Sequence, residues 1–171
     1  MSGVIIIMGV SGCGKSTLGE GLARKNGRIY IEGDELHPPA NIAKMSSGQP
    51  LNDEDRWPWF DRIISETKKC LATHETVLVG CSALKEIYRE YLFQNIDQPC
   101  RIIYLHGSFE TIFERMQLRE HFMPPELLKS QFSTLEEPKF AEDQCLRLPI
   151  NQPVEDMMKR AEKWMNYRES S

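Results

Sequence analysis

Eight consecutive residues, Gly9-Val10-Ser11-Gly12-Cys13-Gly14-Lys15-Ser16, set three glycines before an amine and a hydroxyl. Glycines at this spacing let successive backbone N–H groups converge on one anion. Lys15 is then expected to reach the outer phosphates of a nucleoside triphosphate, and the Ser16 hydroxyl to ligate Mg²⁺. The loop has the flanks that such chemistry needs. Val4 to Met8 is a short apolar, β-branched run, and Thr17 to Lys25 reads as a helix with Leu18, Leu22 and Ala23 inward. The helix N-terminus adds a partial positive charge where the phosphates would sit. Gly9, Val10, Ser11, Gly12, Cys13, Gly14, Lys15, Ser16 and Thr17 are therefore read as an ATP site, with GTP as the alternative. Cys13 is either a small residue that fits the loop or a thiol whose pKa the helix N-terminus lowers.

Phosphoryl transfer needs an oriented acceptor hydroxyl and neutralised charge more than covalent catalysis. Asp34, just after the second strand, is the expected carboxylate for the acceptor proton; a turn or helix-cap role is its alternative. Alternation along that strand places Glu32 and Glu35 less favourably. The third strand ends in Gly80-Cys81-Ser82, without an Asp. Magnesium is thus expected to depend on Ser16, phosphates, waters and Asp34. Arg115 and Arg119 stand i,i+4 just before His121-Phe122-Met123-Pro124, the pattern of a lid that closes two arginines on phosphates. Cations stabilising a helix C-terminus are the competing reading. Lys85 and Arg89 are also i,i+4, either an acceptor-binding face or a solvated one. His37, Lys44 and Arg56 make the segment from 36 to 56 basic, which suits a small acidic acceptor; His37 can equally be structural.

Strands that position these groups are expected at 4–8, 28–31, 76–81, 101–105 and 145–148. Helices are expected at 17–25, 53–73, 83–93, 109–119, 124–132 and 154–167. Asn52 or Asp53 would cap the helix from 53, with Pro58 in its first turn. Residues 38–52 and 134–144 read as the longest irregular stretches. Val154, Met157, Met158, Ala161 and Met165 fall at helical spacing and read as core. Alternating strands and helices predict an α/β fold with a five-stranded parallel sheet, helices on both faces and a small lid at about 115–135. Ligands of such sheets sit beyond the carboxyl ends of the strands. The expectation is a single domain over residues 1–171.

The net charge of −4 argues against bulk nucleic-acid binding. No apolar run is long enough to span a bilayer, and the N-terminal run is too short for a secretory signal. Five scattered cysteines without a C-x-x-C pair point away from disulfides and towards a reducing, cytoplasmic setting.

Several motifs resemble the gluconokinases. They are Gly33-Asp34-Glu35-Leu36-His37-Pro38, Asn41, Lys44-Met45, Gly48 and Pro50 to Arg56; Cys81 to Lys85 with Tyr88-Arg89; and His121-Phe122, Gln131-Phe132 and Thr134-Leu135-Glu136. The resemblance covers nearly the whole chain. It implies ATP- and Mg²⁺-dependent phosphorylation of D-gluconate at its 6-hydroxyl, on a P-loop fold related to shikimate kinases, in a protein that forms a homodimer in bacterial relatives. It makes Asp34 the hydroxyl-orienting residue and His37, Arg56, Lys85 and Arg89 candidates for holding gluconate. Adenine would lie near Arg115 and residues 151–153. The chain departs from the pattern at Cys13, where Ser is usual, and lacks a glycine before His121. The alternatives are a shikimate or nucleoside monophosphate kinase and a nucleotide-binding module without catalysis. Shikimate kinases usually carry a glycine cluster where this chain has Cys81-Ser82-Ala83.

Overall fold

A computed structural model describes residues 3–118 and 124–167. Five strands, β1 (Gly3–Met8), β2 (Ile29–Glu32), β3 (Thr76–Gly80), β4 (Cys100–His106) and β5 (Cys145–Pro149), form one parallel sheet in the order β2-β3-β1-β4-β5. Every residue of β1 is buried, as a central parallel strand covered on both faces must be. Its side chains alternate between two cores. Ile5 and Ile7 pack with Leu18 and Leu22 of α1 (Lys15–Asn26) and with Met157, Ala161 and Met165 of α7 (Val154–Asn166). Val4, Ile6 and Met8 pack with Trp59, Phe60 and Ile63 of α3 (Asp53–Leu71) and Leu92 of α4 (Glu86–Asn95). Of the stripe read as core, Met157, Ala161 and Met165 are buried and Met158 packs half-buried against them, whereas Val154, the first residue of the helix, is exposed.

The chain leaves β1 for β2 on one side of the sheet and leaves β4 for β5 on the other. Diverging connections open a crevice at the carboxyl ends of the central strands. Three expectations fail nearby. Residues Pro39–Ser46, expected to be irregular, form a helix, α2, opened by Pro39 in its first position. Asn41 is its one buried residue, so α2 sends no apolar stripe into the core. Pro58 is not in the first turn of α3. A capping box of Asn52 and Asp55 starts that helix at Asp53, and Pro58 lies a turn deeper, where it cannot donate to the Glu54 carbonyl. Finally, α4 begins at Glu86 rather than Ala83, because Ala83 adopts a left-handed φ of 42°. Helices α5 (Phe109–Leu118) and α6 (Pro125–Thr134) flank the crevice on the lid side. Among the described residues, no helix is long and apolar enough to cross a membrane.

Candidate active site

The glycine loop closes over the carboxyl end of β1. Gly9 (φ 151°) and Gly12 (φ 81°) occupy backbone regions that side chains disfavour. A Cβ on Gly12 would also lie 2.5 Å from the Met116 side chain, so α5 seats directly on the loop. Lys15 is buried, and its ammonium donates to the carbonyls of Gly9 (2.8 Å) and Val10 (3.0 Å). Cys13 is sealed beneath. Burial pushes its thiol up despite the nearby Lys15, which favours the small residue that fits the loop over the thiol with a lowered pKa.

Ser16, first turn of α1, donates its hydroxyl hydrogen bond to Glu32 Oε2. The Tyr30 hydroxyl donates to the same oxygen at 3.3 Å. Glu32 ends β2 opposite Gly80 of β3, the place where an Asp was missing from the third strand. Glu32, read as less favourably placed than Asp34 to take the acceptor proton, instead meets the candidate magnesium ligand, a role no sequence argument gave it. Tyr30 lies in a slot that only glycines leave open. A Cβ at Gly80 would sit 1.9 Å from its hydroxyl, and one at Gly19 would sit 2.2 Å from its ring.

Beyond the loop lies a cleft of about 220 Å³ lined by Ser11, Asp34, His37, Arg56, Ser82 and Gln131, among others. Asp34 rides on a 3₁₀ turn, Gly33–Leu36, whose Gly33 carbonyl accepts a hydrogen bond from Trp59 Nε1 at 2.8 Å. His37 stacks on Trp59 with ring centres 4.0 Å apart. Asn41 Nδ2 donates to the Asp55 carbonyl (2.9 Å), which fixes the amide orientation, and also lies 3.2 Å from His37 Nδ1. The imidazole thus accepts at Nδ1 and carries its proton on Nε2. Burial pushes His37 down to about 4; Asp34 opposes this and Arg56 adds to it. The ring is neutral at pH 7.

Arg56 donates to the Leu51 carbonyl (2.7 Å) and to the Tyr88 hydroxyl (3.0 Å), and stacks over the Tyr88 ring at 5.1 Å. Tyr88 in turn donates to Asp53 Oδ1, which also receives Lys85 Nζ at 3.1 Å. These bonds hold the Asp53 carboxyl below its usual range. The expected i,i+4 face of Lys85 and Arg89 does not exist. Lys85 is the N-cap of α4 and is paired with Asp53. Arg89 is 2% exposed and donates to the carbonyls of Ala83 (2.8 Å) and Leu84 (3.0 Å), outside the cleft. It braces the left-handed turn that brings Ser82 and Leu84 to the cleft wall. Lys44 is likewise engaged, with Asp55 at 2.6 Å.

Arg115 does not face the acceptor cleft; its guanidinium donates to the Ile150 carbonyl at 2.7 Å, beside the connection into α7. Arg119 and the lid residues His121 and Phe122 lie outside the described residues. Gln131 of α6 was singled out by no chemical argument in the sequence, yet it holds the loop. Ser11 N–H donates to its Oε1 (2.7 Å), and its Nε2 donates to Ser11 Oγ (2.9 Å). The two residues are 120 apart in sequence, so only the fold reveals the pair.

A glycine loop at the carboxyl end of a central parallel strand, sharing one small cleft with a carboxylate, defines a P-loop phosphotransferase. A shikimate kinase family model matches residues 11–167. The thermosensitive gluconokinase of Escherichia coli K12 is 44% identical over 150 residues, covering 87% of this chain and 80% of that one. The gluconokinase of Gluconobacter oxydans 621H is 48% identical over 135 residues, covering 78% of this chain and 75% of its own. A crystal structure of a gluconokinase from Sinorhizobium meliloti 1021 superposes with a TM-score of 0.84 at 43% identity, over 99% of this chain and 98% of that chain. The chain belongs to the gluconokinase family. The Acinetobacter baumannii shikimate kinase shares the fold, with a TM-score of 0.56 at 18% identity over 96% of this chain and 93% of that one.

Proposed function

We propose that this protein transfers the γ-phosphoryl group of ATP to the 6-hydroxyl of D-gluconate. The observation that carries the reading is a single cleft lined together by Ser11 of the phosphate loop, Asp34, Arg56 and the neutral His37. One cation suits one carboxylate. A neutral imidazole with a free Nε2–H, together with the Ser82 hydroxyl, suits a chain of hydroxyls. The curated relatives named gluconokinase support the same acceptor.

In this reading the loop N–H groups and Lys15 hold the β- and γ-phosphates. Asp34 orients the 6-hydroxyl and takes its proton as the new O–P bond forms and the bond to the ADP oxygen breaks. Arg56 holds the gluconate carboxylate. Lys85 acts through Asp53 and Tyr88, and Arg89 through the 83–84 turn. Arg115 bounds the nucleotide side, and Arg119 is assigned to transition-state charge.

The residues present fit a Mg²⁺ ion. Ser16 and Glu32 offer hard oxygen donors side by side, and Mg²⁺ prefers one or two such groups plus phosphates and waters. Among the described residues no group of three or more His, Cys, Asp or Glu forms a dedicated cage. When bound, Mg²⁺ neutralises charge on the phosphates.

Asp34→Asn tests the acceptor role. Turnover should fall by about 10²–10⁴-fold, with ATP affinity held within about twofold as read by equilibrium binding. Equal losses in both would reassign Asp34 to nucleotide or metal binding.

A further inference from the structure

The carboxamide of Gln131 occupies both polar groups that Ser11 presents at the mouth of the phosphate loop. Ser11 and Gln131 also line the cleft that holds Asp34 and Arg56. Gln131 therefore belongs to both substrate sites. Its helix is anchored around it: Leu128 is fully buried, and just past the helix the Glu136 N–H donates to the Leu84 carbonyl at 2.8 Å. The backbone is held by these contacts, so the carboxamide's own position rests on its two bonds to Ser11.

A Gln oxygen is a neutral acceptor for the Ser11 N–H, and a γ-phosphate oxygen is a charged one. Charge-assisted bonds are the stronger. A triphosphate can displace the carboxamide from Ser11, whereas a diphosphate leaves the pair intact. The displaced carboxamide remains in the cleft with a donor and an acceptor, the two functions that a hydroxyl complements.

We propose that Gln131 is a positioning residue that reads the γ-phosphate at Ser11 and turns to hold the acceptor hydroxyls only when a triphosphate is bound. The idea rests on the kinase reading above. It makes acceptor affinity depend on the nucleotide, and disfavours acceptor binding to the ADP complex.

Calorimetric titration of the full chain tests this in two arms. In the first, gluconate is titrated into protein saturated with Mg-ADP or with the non-hydrolysable Mg-AMPPNP. Gluconate should bind about three- to tenfold tighter with AMPPNP, the range of one net hydrogen bond. In Gln131→Leu that ratio should collapse to near one. An unchanged ratio in the variant overturns the proposal. In the second arm, without gluconate, Gln131→Leu should favour AMPPNP over ADP about three- to tenfold more than the unaltered protein does, because the competitor for Ser11 is gone. Gln131→Glu, similar in size but charged, should shift the preference towards ADP. No change of preference in either variant overturns the proposal. Far-UV circular dichroism and urea unfolding of each variant serve as the folding control. This arm needs no acceptor, so failure of the gluconate reading and failure of the Gln131 reading are separable.

Discussion

Tyr88→Phe removes one hydroxyl from the chain of contacts that aims Arg56 at the cleft. The ring should stay: Tyr88 is 1% exposed, packs against Phe60 and Trp57, and leaves space that Phe fills equally well. Two hydrogen bonds to charged groups vanish, one accepted from Arg56 at 3.0 Å and one donated to Asp53. Such bonds contribute about 1.5–3 kcal/mol each when fully buried. Both charged partners here are only half-buried and can take water instead, so the net loss of stability should be about 1–2 kcal/mol. Arg56 keeps the Leu51 carbonyl at 2.7 Å and the aromatic face at 5.1 Å. Its share of the loss, about 1 kcal/mol, corresponds to about a fivefold rise in the acceptor KM. The KM for ATP and kcat should change little. A coupled ADP-release assay over a gluconate series at saturating ATP reads the first effect, and urea unfolding reads the second. A raised ATP KM with an unchanged acceptor KM would refute the assignment of Arg56 to the acceptor.

His37 is held down to about 4, below its ordinary 6.5, so the unfolded chain takes up the proton first. Stability should fall as pH drops from about 6.5 to about 4, by up to about 3 kcal/mol. His37→Gln should flatten that slope in urea melts at pH 7 and pH 5, and an identical slope would sink the argument. Asp53 and Asp55, held below the ordinary 3.8, lose their contribution only at lower pH. Gly80→Ala should cost about 1–3 kcal/mol through overpacking against Tyr30. Combining it with Tyr30→Phe should recover part of the loss, because the hydroxyl makes the closest clash; strictly additive losses in the double variant would contradict the slot.

The central strands were legible because a strand buried on both faces must be apolar throughout, as in Val4 to Met8 and Val77 to Val79. The phosphate loop was legible because its function is local to eight residues. What failed was non-local or locally disguised. Helix α2 is eight residues long and buries Asn41 alone, so it is too short and too weakly packed to stand out beside the turn residues Pro38, Pro39 and Gly48. The start of α4 depends on a left-handed Ala83, which no propensity favours, and that shift undid the expected pairing of Lys85 with Arg89. Glu32 was set aside by strand alternation, a rule that loses force at a strand's carboxyl end, where the last residue opens onto the crevice. Its register partner Gly80, with no side chain of its own, was the available clue. The clasp of Ser11 by Gln131 joins residues 120 apart and follows from packing alone.

A cleft that serves both the phosphate loop and a polyhydroxy-acid acceptor must release ADP only when that acceptor is present. The most direct measurement is ADP release from Mg-ATP with D-gluconate, shikimate or a nucleoside monophosphate as acceptor, with the product read by phosphorus NMR. Gluconate should release ADP and yield a phosphate ester on a CH₂ carbon, seen as a triplet from two coupled protons. Release with shikimate or a nucleoside monophosphate but not gluconate would contradict the gluconate reading.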